Sequence, residues 1–241
     1  METYKRKIIL ITGGAQGLGK AICEQLTCAH NTLLIADIQY SKAREIVDEI
    51  RSRGCQGRAY EVDLEKPASI KQMIEAIIEQ FGCLDVLINN AGVDVTKSII
   101  DMSLEEWDRV ININLRAPFV TTKYVLAYMS EQHYGHIINI VSTAALRGWT
   151  EAAAYHASKW GLRGFTQALF SEARKVNVKA SAIIAGGMKT PFLLDRFPDI
   201  DQAKLQDPKN VADTIRFILD QPAETTIPEV LVLPLQESSW P

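Results

Sequence analysis

The chain has no apolar run of the ~20 residues that a bilayer-crossing helix requires. Its start, Met1-Glu-Thr-Tyr-Lys-Arg-Lys7, leads into apolar Ile8–Ile11 and imitates the opening of a signal peptide, but the apolar part is too short and a glycine-rich turn follows. The four cysteines, Cys23, Cys28, Cys55 and Cys83, lack C-x-x-C spacing, and Cys23 and Cys28 fall in an expected helix. This argues against a disulfide framework and against zinc, and for a reducing, cytoplasmic compartment. His30, His133, His136 and His156 have no metal spacing either, so no metal is expected. Nor is there a basic excess: 26 Lys and Arg against 29 Asp and Glu leave a net charge of −3, which argues against nucleic acid or an anionic membrane as partner. Repeats and low-complexity linkers are also missing, so no domain boundary is placed in the 241 residues. A 47% hydrophobic content is ample for one core, and a single domain over 1–241 is expected.

What is there is a rhythm. Short apolar, β-branched runs alternate with longer amphipathic stretches. The strands are expected at Lys7–Thr12, Thr32–Asp37, Gln56–Val62, Val86–Asn89, His136–Val141, Lys179–Ile184 and Glu229–Leu233. Between them, helices are expected at Gly17–Cys28, Ser41–Arg53, Lys66–Phe81, Ser103–Ser130, Ala152–Val176 and Pro208–Asp220. Ser103 before Glu105-Glu106, and Asp207-Pro208, mark helix starts. Near-continuous apolar strands are buried on both faces, as in a parallel sheet, and the alternation implies a doubly wound α/β fold. The rhythm breaks between Ile184 and Pro208. Gly186, Gly187, Pro191 and Pro198, with the apolar Met188, Phe192, Leu193, Leu194 and Phe197, suggest a lid at about 185–207.

Between the first strand and the first helix lies Thr12-Gly-Gly-Ala-Gln-Gly-Leu-Gly19. Glycines let the backbone turn tightly and approach a ligand, and the helix start offers free N–H groups suited to pyrophosphate. The spacing is Gly-x-x-x-Gly-x-Gly, not the commoner Gly-x-Gly-x-x-Gly. Asp37 ends the second strand twenty residues after Gly17, where an acid can accept hydrogen bonds from an adenosine ribose. A carboxylate there repels a 2′-phosphate, and no Arg stands in the glycine turn or directly after Asp37. NAD is therefore favoured over NADP.

Ser142 follows the fifth apolar run, at the carboxyl edge of the sheet, where open α/β sheets bind ligands. Thirteen residues on comes Tyr155, and Lys159 lies four beyond it on the same helix face. A phenol's usual pKa of about 10 is too high for a base near neutrality. Lys159, and the positive nicotinamide ring of an oxidised cofactor, would both lower it. Tyr155 then acts as base for alcohol oxidation or acid for ketone reduction. Ser142 steadies the substrate oxygen. His156 adjoins Tyr155, but neighbouring helix positions point apart, so it is not expected to be catalytic.

Taken in order, the glycine turn, Asn89-Asn-Ala-Gly92, Asn114, Ser142 and Tyr155-His-Ala-Ser-Lys159 resemble the short-chain dehydrogenase/reductase family over nearly the whole chain. The resemblance implies a Rossmann-type fold with a seven-stranded parallel sheet. It implies that Gly13, Gln16, Gly17, Leu18 and Gly19 contact the cofactor phosphates and ribose, Asp37 and Ile38 the adenosine ribose, and Asp63 and Leu64 the adenine. Asn90, Ala91 and Gly92 would line the cofactor. Tyr155 and Lys159 would also bind the cofactor, the lysine through the nicotinamide ribose, and Asn114, preferred by register over Asn112, would hold a water beside the lysine. Met188 and Thr190 would lie at the nicotinamide end. Two departures stand out. Ala185-Gly-Gly-Met-Lys-Thr190 replaces the family's Pro-Gly-x-x-x-Thr, which should loosen that turn. Val230-Leu-Val-Leu-Pro-Leu-Gln-Glu237 replaces its usual Val-Asp-Gly-Gly ending, so the strand is kept but its terminal contacts differ.

Arg147-Gly-Trp149 would border the substrate pocket, with Trp149 either wall or packing. Asp94, just beyond the Asn-Asn-Ala-Gly run, and Glu151 could face the substrate but read more readily as solvated loop acids, Trp107 and Trp160 read as core or interface, and Thr143 as a bystander to Ser142. The helix Ala152–Val176 is apolar around much of its circumference. In the family this helix and the one matching Ser103–Ser130 pair with their copies, which implies a homo-oligomer, a tetramer or a dimer. The combined expectation is an NAD-dependent oxidoreductase of a secondary alcohol or ketone, hydrophobic or mixed in character. The alternatives are an acyl-thioester ketoreductase or sugar dehydrogenase on the same scaffold and, in another class, a dinucleotide-sensing protein without turnover.

Overall fold

A computed structural model describes residues 7–237. The leader-like start, residues 1–6, lies outside them. Seven strands form one all-parallel sheet: β1 (Lys7–Thr12), β2 (Asn31–Asp37), β3 (Gln56–Glu61), β4 (Val86–Asn89), β5 (His136–Ser142), β6 (Lys179–Ala185) and β7 (Glu229–Val232), in the order β3-β2-β1-β4-β5-β6-β7. This is the expected Rossmann-type α/β sheet, with strand bounds within about a residue of expectation.

Successive side chains in a strand point to opposite faces, which is why whole strands are apolar. Ile9, Ile11, Leu33 and Ile35 pack on one face against α1 (Gly17–Leu26), α2 (Tyr40–Ser52) and α8 (Pro208–Leu219). Leu10, Leu34, Leu87 and Ile137 pack on the other against α3 (Pro67–Phe81), α5 (Ala117–Gln132) and α6 (Ala153–Ala173). The strand order reverses between β1 and β4, so the loops leaving their carboxyl ends diverge and open a crevice.

Two expectations about elements need correction. The helix expected over Ser103–Ser130 is interrupted. α4 (Leu104–Ile111) passes into a π-helical turn, Asn112–Arg116, before α5. The Ala117 N–H bonds to the Asn112 carbonyl, five residues back. Pro118 explains the break: it has no N–H for the Asn114 carbonyl, and its ring crowds that oxygen. The start of α4 is as read, with Ser103 and Glu106 forming a capping box. Second, α1 stops at Leu26, so Cys28 is exposed beyond the helix rather than within it. Of the core or interface reading of Trp107 and Trp160, the core half is excluded, since Trp160 is 51% exposed and Trp107 37%, and neither borders the cleft. β7 is present and pinned, since Arg163 on α6 donates from Nε and Nη2 to the two carboxylate oxygens of Glu229, both at 2.8 Å.

Candidate functional site

The crevice is a cleft of about 1020 Å³ along the carboxyl ends of the strands. At one end the chain leaves β1 through the glycine turn. Gly13 takes φ +64°, and a Cβ there would lie 2.8 Å from the Ala91 Cα; a Cβ on Gly19 would lie 2.0 Å from the Gly13 carbonyl oxygen. Only glycine allows this approach. The Asn90 side chain donates to the carbonyls of Thr12 (3.0 Å) and Gly13 (2.9 Å), while the Thr12 hydroxyl accepts the N–H of Asn90 and of Ala91. α1 opens on Gln16 with no side-chain cap and no acid in its first turn. Its leading N–H groups therefore suit an anion such as pyrophosphate.

Asp37 is buried, and its carboxylate accepts N–H bonds from Ala15 (3.0 Å) and Gln39 (2.9 Å). It thus braces the glycine turn in addition to any ligand role. Ile38, Asp63 and Leu64 complete this end, with Lys66 paired to Asp63 at 2.8 Å.

At the other end, Ser142 closes β5, and its Oγ accepts the Ala144 N–H at 3.2 Å. Tyr155 and Lys159 come from one face of α6; the Lys159 Nζ donates to the Ile140 carbonyl at 2.9 Å and lies 5.6 Å from the Tyr155 ring centre. Burial pushes the Tyr155 phenol up to about 12, against the opposing pull of its hydrogen bond with Ser142. The lowering expected from Lys159 is therefore absent in the chain alone, because desolvation dominates. Burial likewise draws Lys159 down to about 8.

Gly13, Gln16, Gly17, Leu18, Gly19, Asp37, Ile38, Asp63, Leu64, Asn90, Ala91, Gly92, Ser142, Tyr155, Lys159, Met188 and Thr190 all border this one cleft. Asn114 does not. It is fully buried beneath the wall, where its Oδ1 accepts the Val93 N–H at 2.8 Å and its Nδ2 donates to the Val93 carbonyl (2.8 Å) and the Ser158 hydroxyl (3.1 Å). The π turn aims it there. Both its donors hold protein groups, so it fixes the Gly92–Val93 segment that faces Lys159.

His156 also braces rather than reacts. Its Nδ1–H donates to the Ala144 carbonyl (2.8 Å), its Nε2 accepts the Trp149 N–H (3.1 Å), and its ring meets the Trp149 ring edge-on at 4.3 Å. Trp149 borders the cleft and is 42% exposed. Thr143 is buried and borders the cleft beside Ser142, while Glu151 is exposed, as a loop acid should be.

Two readings at this end are overturned. Asp94 is not a solvated acid: its side chain is 6% exposed and ion-paired with Arg196. The Ala185–Gly187 turn is not loose. The Gly187 N–H donates to the Glu237 carboxylate at 2.7 Å, the Lys189 N–H donates to the Gln206 carbonyl and the Gln206 N–H to the Gly187 carbonyl, and the Gln206 side-chain amide donates to the Val232 carbonyl. The two glycines make room for this closure, since a Cβ on Gly186 would lie 2.4 Å from the Glu237 Oε2. The segment 185–207 also carries short α7 (Pro191–Leu194). Met188, Phe192, Leu193 and Phe197 border the cleft, whereas Leu194 does not.

Sequence reading missed Glu237 and Arg196. It also missed a buried polar chain under the site: Thr121 donates to Asn89 (2.7 Å), Asn89 to Asn139 (2.8 Å) and Asn139 to Thr166 (2.9 Å). The available signal was an asparagine within the apolar run of β5. Nothing in local sequence marks Glu237.

The family model for short chain dehydrogenases matches residues 7–201. A 3-oxoacyl-acyl-carrier-protein reductase of Aquifex aeolicus is 30% identical over 93% of this chain and 94% of its own length. A cyclopentanol dehydrogenase of Comamonas testosteroni is 34% identical over 80% of this chain and 77% of its own. A metagenomic short-chain oxidoreductase solved in complex with NADP superimposes with a TM-score of 0.86 at 29% identity, covering 96% of this chain and 98% of that one. The chain belongs to the short-chain dehydrogenase/reductase family. It is an oxidoreductase of CH–OH groups that uses a nicotinamide dinucleotide. No helix among the described residues is long and apolar enough to cross a membrane, and among them no three His, Cys, Asp or Glu are grouped to hold a metal ion.

Proposed function

We propose that the chain interconverts a secondary alcohol and its ketone, with Tyr155 moving the proton, Ser142 steadying the substrate oxygen and Lys159 holding charge beside the phenol. The observation that carries this is the presence of Ser142, Tyr155 and Lys159 in the same cleft as the glycine turn and Asp37. The uncapped start of α1 fits the dinucleotide's pyrophosphate, and Gly13, Gln16, Gly17, Leu18, Gly19, Asp37, Ile38, Asp63, Leu64, Asn90, Ala91, Gly92, Lys159, Met188 and Thr190 would hold the rest. That cofactor supplies the hydride when bound. A phenol pushed up to about 12 keeps its proton at neutral pH, which suits Tyr155 to protonate a carbonyl oxygen. The phenolate left behind then faces the Lys159 ammonium. Alcohol oxidation needs the proton removed first, so it gains as pH rises. Asn114 positions Val93 and Gly92 next to Lys159.

NAD is the preferred form in this reading. The cleft residues Asp37, Ile38, Gln39, Asp63, Leu64 and Glu65 include three acids, and the neighbouring Lys66 is already paired with Asp63, so a 2′-phosphate would meet mainly negative charge. The NADP complex of the metagenomic relative makes this worth direct measurement. The segment 185–207 acts as the substrate lid of a single domain, and its aromatic lining favours a hydrophobic or mixed substrate. Exposed Trp107, Phe119 and Trp160 on α4, α5 and α6 fit burial between copies in a homo-oligomer. The four free cysteines fit a reducing compartment such as the cytoplasm.

The test is oxidation of NADH and NADPH with a panel of ketones, comparing wild type with Tyr155→Phe. The variant should bind NADH normally and lose about 10²–10⁴-fold in turnover. Full activity in Tyr155→Phe would remove the assignment; tighter binding of NADPH than NADH would remove the role given to Asp37.

A further inference from the structure

Arg196 and Asp94 are 102 residues apart, yet they meet in the wall of the cleft. Arg196 follows α7, and its guanidinium folds back over the Phe192 ring (4.2 Å to its centre) and beside Phe197 (5.4 Å). Its Nε donates to the Phe192 carbonyl at 2.8 Å, and its Nη1 pairs with the Asp94 Oδ2. Asp94 is fixed in turn by the Val95 N–H, 2.7 Å from its Oδ1. Phe192, gripped by Arg196, lies 5.9 Å from the Tyr155 ring. The pair therefore stands beside the proton-transfer end of the cleft.

We propose that Asp94 determines the charge of substrate this site accepts: by holding Arg196 as its partner it denies that guanidinium to substrate carboxylates and selects uncharged ketones and alcohols. This rests on the reading of Tyr155 as the reacting end. The other cations bordering the substrate side are Arg109, Arg147 and Lys204, all exposed, so their attraction is screened by water and salt. Lys159 is buried but bonded to the Ile140 carbonyl. Arg196, with its side chain 21% exposed, is the guanidinium whose attraction for an anion survives desolvation, and it faces an Asp94 side chain 6% exposed. An incoming carboxylate thus meets a neutralised arginine and a buried negative charge. Asn at position 94 keeps the size and the acceptor for Val95 but removes the charge. The guanidinium is then left with an uncompensated charge, which a planar carboxylate matches.

The experiment measures binding of 4-acetylbenzoate and its uncharged methyl ester to the NADH-saturated protein by calorimetry. Wild type and Asp94→Glu should favour the ester. Asp94→Asn should shift the affinity ratio toward the carboxylate by about tenfold or more, and Asp94→Asn combined with Arg196→Met should lose that shift. Circular dichroism of each variant separates a charge effect from misfolding. A wild type that favours the carboxylate, or a folded Asp94→Asn that gains no carboxylate affinity, overturns the proposal. Tyr155→Phe turnover separates the two readings. An inactive Tyr155→Phe with an unchanged Asp94→Asn ratio removes the Asp94 proposal alone, whereas an active Tyr155→Phe removes the site reading beneath it.

Discussion

The two ends of the cleft are closed by different kinds of contact. Beside Asp37, side chains fixed at strand ends hold the main chain of the turn: Thr12, Gly13 and Ala15 are tied to Asn90, just past β4, and to Asp37, which ends β2, and the sheet order sets the places of both. Beside Tyr155, side chains outside the strands do it: Arg196 after α7 reaches Asp94 in the loop after β4, and Glu237 beyond β7 reaches Gly187. The first end has little freedom to vary without losing the turn. The second can change its residues while leaving the sheet intact, so a scaffold that keeps its cofactor end can take different substrates.

Acid should act on both ends together, because the vulnerable group lies at the sheet's other edge. His136 opens β5 and is buried against the Ser181 hydroxyl at 2.8 Å; burial, with Lys179 and Lys7, draws its pKa down to about 3. An unfolded histidine titrates near 6.5, so the unfolded state binds the extra proton first as pH falls. Stability is complete above about 6.5 and drains away toward pH 3, by on the order of 4 kcal/mol. Urea midpoints across that range should flatten in His136→Gln, and a wild-type curve already flat there would count against the assignment.

The next effect in size breaks the Asp37 end alone. Gly19→Ala places a Cβ where the Gly13 carbonyl stands, so the turn must shift. A loss of about 1–3 kcal/mol is expected, with weaker NADH binding by fluorescence. Intact binding would mean the turn is more pliant than its contacts imply.

Smaller still is the anchor of β7. Arg163→Ala removes both bonds to Glu229 from a partly exposed pair and should cost about 1 kcal/mol in chemical denaturation. Smallest in stability is Glu237→Ala, at or below about 0.5 kcal/mol for a surface-proximal change. It frees the Gly187 N–H, so KM for ketone should rise while NADH affinity holds. Equal losses in both would erase the distinction between the two ends.

The apolar runs and glycine turn made the sheet and the cofactor-side residues legible because each depends on neighbours close in sequence or on strand ends. The π turn was legible only in hindsight, through Pro118 four residues beyond Asn114. Asp94 looked like a loop acid because its partner stands on a segment far down the chain. The phenol of Tyr155 looked easier to ionise than it is, since spacing reveals Lys159 but not the depth of burial.

By itself, then, the sequence determined the alternation of strands and helices, the turn that only glycine can make, and a serine, tyrosine and lysine held at the carboxyl edge of one sheet. Those follow from period, backbone sterics and side-chain chemistry over short distances. Tertiary structure alone decided that Asn114 lies under the wall, that Asp94 meets Arg196, and that Glu237 closes the Gly186-Gly187 turn. Each of these depends on which distant side chains share a space from which water is excluded, and burial there sets both the pairing of charges and the proton affinity of Tyr155.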